Sequence, residues 1–261
     1  MEIINNPNFA NLTGMTGISG YSIDEIYLSE NPSLTSLNGL GALTSVNRLY
    51  VSDNPALSDI SALSNLTNVN GTLLIAYNNV LNSLNGLNNV TSVGGTLYLA
   101  NFKGANFAGL GSLTQVGSDF YCWGNAVTNL TGLEKLSSVG RDVTISNHAN
   151  LQNLSALSGL KSVGRNLDVR QNAKLESLSG LDNINTSTMT QVMILDSPLL
   201  SDCSVKSICS YLRSTNIRNV QGFSVMESSV LPSRPLDTSS LRNGTYLITV
   251  GKEVFKVAVQ N

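Results

Sequence analysis

A single register runs through most of this chain and leaves few folds open to it. In the stretch from Leu49 to Val69, Leu49 and Val51 lie two residues apart, Asn54 follows three later, and Leu57, Ile60, Leu63, Leu66 and Val69 then recur at every third position. Period two is strand spacing, whereas period three fits neither a strand nor an α-helix. A short strand followed by tight coiled turns with inward apolar residues satisfies both, and that is one coil of a leucine-rich-repeat-like solenoid. The Asn54 slot returns at Asn6, Asn31, Asn78, Phe102, Asn125, His148, Asn172 and Ser197, at steps of 23 to 25 residues. Ile26 and Leu28, Leu73 and Ile75, Leu97 and Leu99, Phe120 and Cys122, Val143 and Ile145, Leu167 and Val169, and Val192 and Ile194 match Leu49 and Val51. The triplet run also returns, for example as Leu151, Leu154, Leu157, Leu160 and Val163.

One such coil cannot bury its apolar residues alone, but stacked coils can, because each leucine meets its counterparts above and below. The expected architecture is a β-solenoid: a right-handed coil with one long parallel sheet along one side. Where the chain leaves the strand, inward backbone groups need partners. An inward amide side chain, with donors and an acceptor, can bond the turn of its own coil and of the next. Asn31, Asn54, Asn78, Asn125, His148 and Asn172 are therefore expected to form a buried structural ladder. Pro7, Pro32, Pro55 and Pro198 follow the slot, where a fixed φ suits a turn. Glycines before the strands, as in Val93-Gly94-Gly95 and Val139-Gly140, read as positive-φ corners.

The register has local departures. Met1 and Ile3 already occupy the Leu49 and Val51 positions, which implies that the chain lacks its natural start, with any signal peptide and N-terminal cap. Coil 97–119 puts Phe102 in the slot, with Ala105 and Ala108 in place of large apolar residues, and Phe102 and Phe107 are expected to fill the space. This coil and the next are one residue short between slot and closing valine. Cys122 reads as a small inward hydrophobe. After the last coil, Val205, Ile208 and Leu212 share one helical face, with Ser204 or Asp202 as cap, so a helix is expected to close the array by residue 213. Cys203 and Cys209 can close a small disulfide across the helix start in an oxidising compartment, or stay as two buried thiols. Residues 214–261 leave the repeat. Gly222–Met226, Thr245–Val250 and Glu253–Val259 read as strands, the last two joined by a hairpin at Gly251-Lys252.

The repeat Leu-x-x-Leu-x-x-Leu-x-x-Val-x-Gly-x-Leu-x-Ile-x-x-Asn resembles the receptor L domain, the solenoid of insulin- and epidermal-growth-factor-receptor ectodomains and of many bacterial surface proteins. The likeness covers residues 1–213, and the Cys203 to Cys209 segment looks like the end cap of bacterial members. It implies recognition or adhesion, with no catalytic residue to carry over. The tail, through Leu236-Asp237, Leu241, Gly244-Thr-Tyr246-Leu-Ile, Gly251 and Lys256-Val257, resembles the C-terminal sorting domain of the type IX secretion system of Bacteroidetes. It implies export and attachment at the outer-membrane surface of a Gram-negative bacterium.

Charged residues make up only 12% of the chain and the formal charge is −2. No basic stripe exists, so nucleic acid is not an expected partner, and no apolar run approaches membrane-span length. The 32 asparagines equal all Lys, Arg, Asp and Glu together, so the surface is polar yet nearly neutral, which suits an extracellular array better than a cytosolic enzyme. Asn11, Asn65 and Asn129 open Asn-Leu-Thr sequons, which matter only in a glycosylating host. The one histidine sits in the ladder slot, the three cysteines have no ligand spacing, and no carboxylate pair stands out. No catalysis, metal or cofactor is expected.

One feature can carry binding. The outward residue between the two inward strand positions reads Tyr27, Tyr50, Leu74, Tyr98, Tyr121, Thr144, Asp168 and Met193 along the stack. In a parallel sheet these lie about 4.8 Å apart per coil. The tyrosines, with Trp123 beside their end, would form a flat aromatic strip suited to a glycan or to a protein hot spot. Tyrosines also favour exposed strands for stability alone. The expected function is a nonenzymatic, secreted or cell-surface recognition module. A structural spacer or stalk is the first alternative and a carbohydrate-active β-helix enzyme the second.

Overall fold

Leucines spaced by three along the chain end up one above another in space. In the computed structural model, which describes residues 1–15, 23–200 and 205–208 in full and the backbone of strands Val225–Glu227, Gly244–Val250 and Glu253–Val259, the chain is a parallel β-solenoid. Strands Glu2–Ile4, Ile23–Ser29, Ser45–Ser52, Leu73–Ala76, Leu97–Ala100, Phe120–Trp123, Val143–Ser146, Asn166–Arg170 and Gln191–Leu195 stack in parallel, with equivalent residues paired. Leu57, Leu81 and Leu151 are buried in one continuous apolar cluster that runs the length of the array.

The expected single sheet is forked. A second parallel ladder, Asn68–Val69, Ser92–Val93, Gln115–Val116, Ser138–Val139 and Ser162–Val163, stacks beside the first. The two ladders join in the undivided strand Ser45–Ser52. In later coils a glycine corner separates them, and its glycines are there for a different reason than expected. None of Gly94, Gly95 and Gly140 has a positive φ. A Cβ at Gly94 would lie 2.1 Å from the Asn70 carbonyl oxygen, at Gly117 2.0 Å from that of Gly94, at Gly140 2.0 Å from that of Gly117, and at Gly164 1.9 Å from that of Gly140. The corners stack so closely that each coil leaves no room for a side chain on the next.

Left-handed backbone sits instead at the residue just before each slot. Asn5, Glu30, Asp53, Tyr77, Asn101, Gly124, Asn147, Gln171 and Asp196 all have φ between 48° and 63°. This turns the chain out of the strand and aims the slot side chain inward. Asn, Asp and Gly tolerate that conformation, but Glu30, Tyr77 and Gln171 adopt it at a cost of about 1–2 kcal/mol each. Gln171→Gly is expected to raise the unfolding free energy by about 0.5–1 kcal/mol, after the extra chain entropy of glycine is subtracted. Urea denaturation checks this, and an unchanged or lower midpoint refutes it.

A second period, of two coils, overlies the first. Gly39, Gly86, Gly132 and Gly180 have φ between 105° and 119°, in alternate coils. The coils between them form short 3-10 turns at Thr13–Met15, Ser61–Asn65, Ala108–Leu110 and Ser155–Leu157. A Cβ on each of these glycines would strike the carbonyl of Leu12, Ile60, Phe107 or Leu154, at the start of the neighbouring 3-10 turn.

The irregular coil also differs from expectation. Ala105 and Ala108 are exposed rather than inward. The missing residue falls directly after the slot, so buried Gly104 takes the first triplet position and Phe107, Leu110, Leu113 and Val116 carry the rest. A Cβ at Gly104 would be 2.3 Å from Cζ of Phe102. The Phe102 ring fills the volume of the absent leucine and stacks on Phe107 at 5.8 Å.

At the C-terminal end of the array, residues 206–208 have helical backbone, with Val205 and Ile208 buried against the core. The Ser207 hydroxyl donates to the Leu181 carbonyl and the Lys206 N–H to Asp182. The expected caps Asp202 and Ser204, the pair Cys203 and Cys209, and Leu212 lie outside the described residues. The tail strands form a separate sheet, with Val225–Glu227 parallel and Glu253–Val259 antiparallel to Gly244–Val250. Among the described residues, no helix is long and apolar enough to cross a membrane.

Candidate functional site

The ladder forms a relay inside the array. Oδ1 of Asn31, Asn54 and Asn78 accepts the backbone N–H of Asn6, Asn31 and Asn54 respectively, each at 3.1 Å. Their Nδ2 groups donate to the carbonyls of Ile3, Leu28 and Val51. These bonds all reach the preceding coil, whereas the next coil was expected; Asn31 and Asn54 also donate within their own coils, to the Ser29 and Ser52 carbonyls. Phe102 offers no acceptor and interrupts the relay, which resumes at Asn125, whose Oδ1 takes the Phe102 N–H at 2.8 Å. His148 continues it, since Nδ1 accepts the Asn125 N–H at 3.0 Å, and Asn172 in turn accepts the His148 N–H. All of these side chains are buried, so they hold the scaffold and leave nothing for a ligand. Cys122 is buried beside them, and burial pushes its thiol up to about 12, so it stays protonated and unreactive.

The outward face of the main sheet is where side chains with chemistry collect. The register puts Tyr27 beside Tyr50, then Leu74, Tyr98, Tyr121, Thr144, Asp168 and Met193. These do not form one flat strip. Tyr27 and Tyr50 stack face to face at 4.5 Å and 8°, so each ring spends one face on the other. Tyr98 and Tyr121 are tilted by 52° at 5.9 Å. Leu74 separates the pairs. Trp123, one row over, and Tyr77 are the more open aromatics, at 36% and 40% exposure.

Each aromatic pair adjoins ion pairs that spacing alone did not single out. Arg48 bonds Glu25 next to Tyr27. Arg165 holds Asp142 through two nitrogens, and Arg141 lies 3.8 Å from Asp119, both beside Tyr121. Arg170 reaches Asp168 at 3.2 Å. Every ion pair among the described residues thus belongs to this one side of the array. Asp119 and Asp142 also close the sheet edge, their Oδ1 atoms accepting the N–H of Asp142 and Asn166 in the next coils. The 23-residue recurrence of Asp119 and Asp142, each followed by its partner arginine one coil later, was the sequence signal for this arrangement.

Partial burial, and then the nearby carboxylates, push the Tyr121 phenol above its ordinary value; burial and Tyr77 do the same for Tyr98. Both remain hydroxyl donors at neutral pH. The Arg165 hydrogen bond holds Asp142 below the usual carboxylate range. Burial raises Asp168, with Arg170 opposing. Its Oδ1 is buried without a hydrogen-bond partner. Among the described residues, no group of His, Cys, Asp and Glu could hold a metal ion. Compared with known proteins, the chain matches no family model, no curated protein and no solved structure.

Proposed function

We propose that this chain is a nonenzymatic recognition or adhesion module of a secreted or cell-surface protein, binding a protein or glycan through the outward face of its main sheet. One observation carries the reading. In a chain with only 12% charged residues, Tyr27, Tyr50, Tyr98, Tyr121, Trp123 and all described ion pairs gather on this side. A spacer needs no such concentration, and Trp, Tyr and Arg are the residues that dominate binding surfaces. The resemblance to receptor L domains agrees with recognition. The likeness of the tail to a type IX sorting domain agrees with export to the outer-membrane surface of a Gram-negative bacterium.

The test is an array of glycans and extracellular proteins probed with the whole chain. Wild type is expected to bind at least one member. Tyr50→Ala with Tyr98→Ala is expected to abolish that binding at a stability cost of about 1–2 kcal/mol, since Tyr50 leaves its stack with Tyr27. Lys135→Ala, exposed and outside the strands, is expected to leave it intact. Absence of any bound member, or binding indifferent to the double substitution, overturns the reading.

A further inference from the structure

We propose that Tyr121, Trp123, Asp168 and Arg170 frame a subsite for a neutral oligosaccharide, a refinement that rests on the recognition reading above. The register sets the frame. Tyr121 pairs with Thr144 and Thr144 with Asp168; Trp123 pairs with Ser146 and Ser146 with Arg170. Two coil steps, about 10 Å, separate the aromatic side of the frame from the charged side. The strand between them contributes the small, half-buried Thr144, with Ser146 buried below the surface, so the floor is low at Thr144, a saddle between an aromatic wall and an ion pair. Its span suits about two sugar rings.

The chemistry of the two walls is that of a sugar. A pyranose offers an apolar C–H face, and the exposed Trp123 ring with the Tyr121 body beside it offers the matching surface. A sugar hydroxyl donates once and accepts twice. The Asp168–Arg170 pair presents an acceptor and a donor side by side, so one hydroxyl can give its proton to the carboxylate and take one from the guanidinium. The unpartnered Oδ1 of Asp168 is the second, independent pointer, because buried polar atoms almost always have a partner and this one lacks it. Charge selects against ions. Asp119, Asp142 and Asp168 are matched by Arg141, Arg165 and Arg170, which leaves no net field to draw an anionic or cationic ligand.

Calorimetric titration of the whole chain with cellohexaose, mannohexaose, xylohexaose and N-acetylchitohexaose, with hexagalacturonate as the anionic comparison, tests this. At least one neutral hexamer is expected to bind, and Trp123→Ala and Asp168→Asn are each expected to weaken it at least tenfold. Because Asp168→Asn also frees Arg170, Thr144→Trp, which fills the saddle from a half-buried, outward strand position, is the independent check and is expected to block binding in a folded chain. Lys135→Ala is expected to stay within twofold of wild type. No neutral hexamer bound, tighter binding of hexagalacturonate, or affinity within twofold after both Trp123→Ala and Thr144→Trp overturns the subsite. If the array meanwhile shows a protein partner lost with Tyr50 and Tyr98, only the subsite fails and the recognition reading stands.

Discussion

Asn54→Ala is expected to lower the unfolding free energy by about 2–4 kcal/mol. The side chain accepts the buried Asn31 N–H and donates to the carbonyls of Leu28 and Ser52. Nδ2 also lies 3.3 Å from Oδ1 of Asn78, and alanine removes all of these bonds at once. Ser52 keeps a second donor, the Glu30 N–H at 3.3 Å, and Leu28 is paired in the sheet ladder, so the Asn31 N–H is the backbone group left in want of a partner. An orphaned buried group costs about 1–3 kcal/mol, and the vacated amide volume adds a smaller packing loss. Asn54→Asp tests the same bonds from the donor side. It keeps the acceptor for Asn31 but turns an inward donor into a second acceptor facing carbonyl oxygens, so it is expected to be at least as harmful. Chemical denaturation decides, and a loss below 1 kcal/mol for Asn54→Ala would mean that the relay follows from the fold without holding it.

Acidification from pH 7 to pH 4 is expected to remove about 3 kcal/mol of stability through His148 alone. Burial is the main cause of its depressed basicity and lowers its pKa to about 4, against 6.5 for an exposed imidazole. Nδ1 must stay unprotonated to accept the Asn125 N–H, and Nε2 has no hydrogen-bond partner. The carbonyls of Asn125 and Cys122 favour the proton only in part. Because the folded pKa lies below the unfolded one, the unfolded chain binds the proton first. The contribution is whole above about pH 6.5, declines as the pH falls, and is gone near pH 4. A difference of that size between the two pKa values corresponds to about 3 kcal/mol. His148→Asn restores the amide that the other slots carry, so its stability is expected to match or exceed wild type at pH 7 and to lack this decline. Equal pH dependence of the two proteins between pH 7 and pH 4 would refute the assignment.

The tyrosine face shows what the repeat could and could not convey. The row Tyr27, Tyr50, Leu74, Tyr98, Tyr121 followed directly from period and register, because parallel in-register stacking places equivalent residues side by side. Whether the rings would lie flat did not follow. Ring orientation depends on neighbours in other rows, and Arg48 with Glu25 on one side and Arg165 with Asp142 on the other shape the two pairs differently. The ion pairs escaped notice because Asp119 and Arg141, or Asp142 and Arg165, stand more than twenty residues apart and meet only across coils.

The glycines show the same division. Their recurrence at Gly94, Gly117, Gly140 and Gly164 was plain in the chain, and so was the general reason, that a side chain is not tolerated there. A glycine satisfies an unusual φ and a close approach equally well, and only the stacked carbonyl of the previous coil shows that space is the cause. In coil 97–119 the deletion was countable, but its placement was settled by the Phe102 ring, which fills the gap over Gly104 and leaves Ala105 and Ala108 outside.

By itself the sequence determined the coil: its length, its strand, its inward leucines and the amide that closes each turn. Those are properties of one repeat and its nearest neighbours, and such contacts are written in periodicity. The tertiary structure alone decided the fork in the sheet, the pairing of coils into alternating glycine and 3-10 turns, the direction of the amide relay and the gathering of ion pairs beside Tyr121 and Trp123. Each of these depends on the distance and angle between successive coils, which no pattern within a single coil specifies.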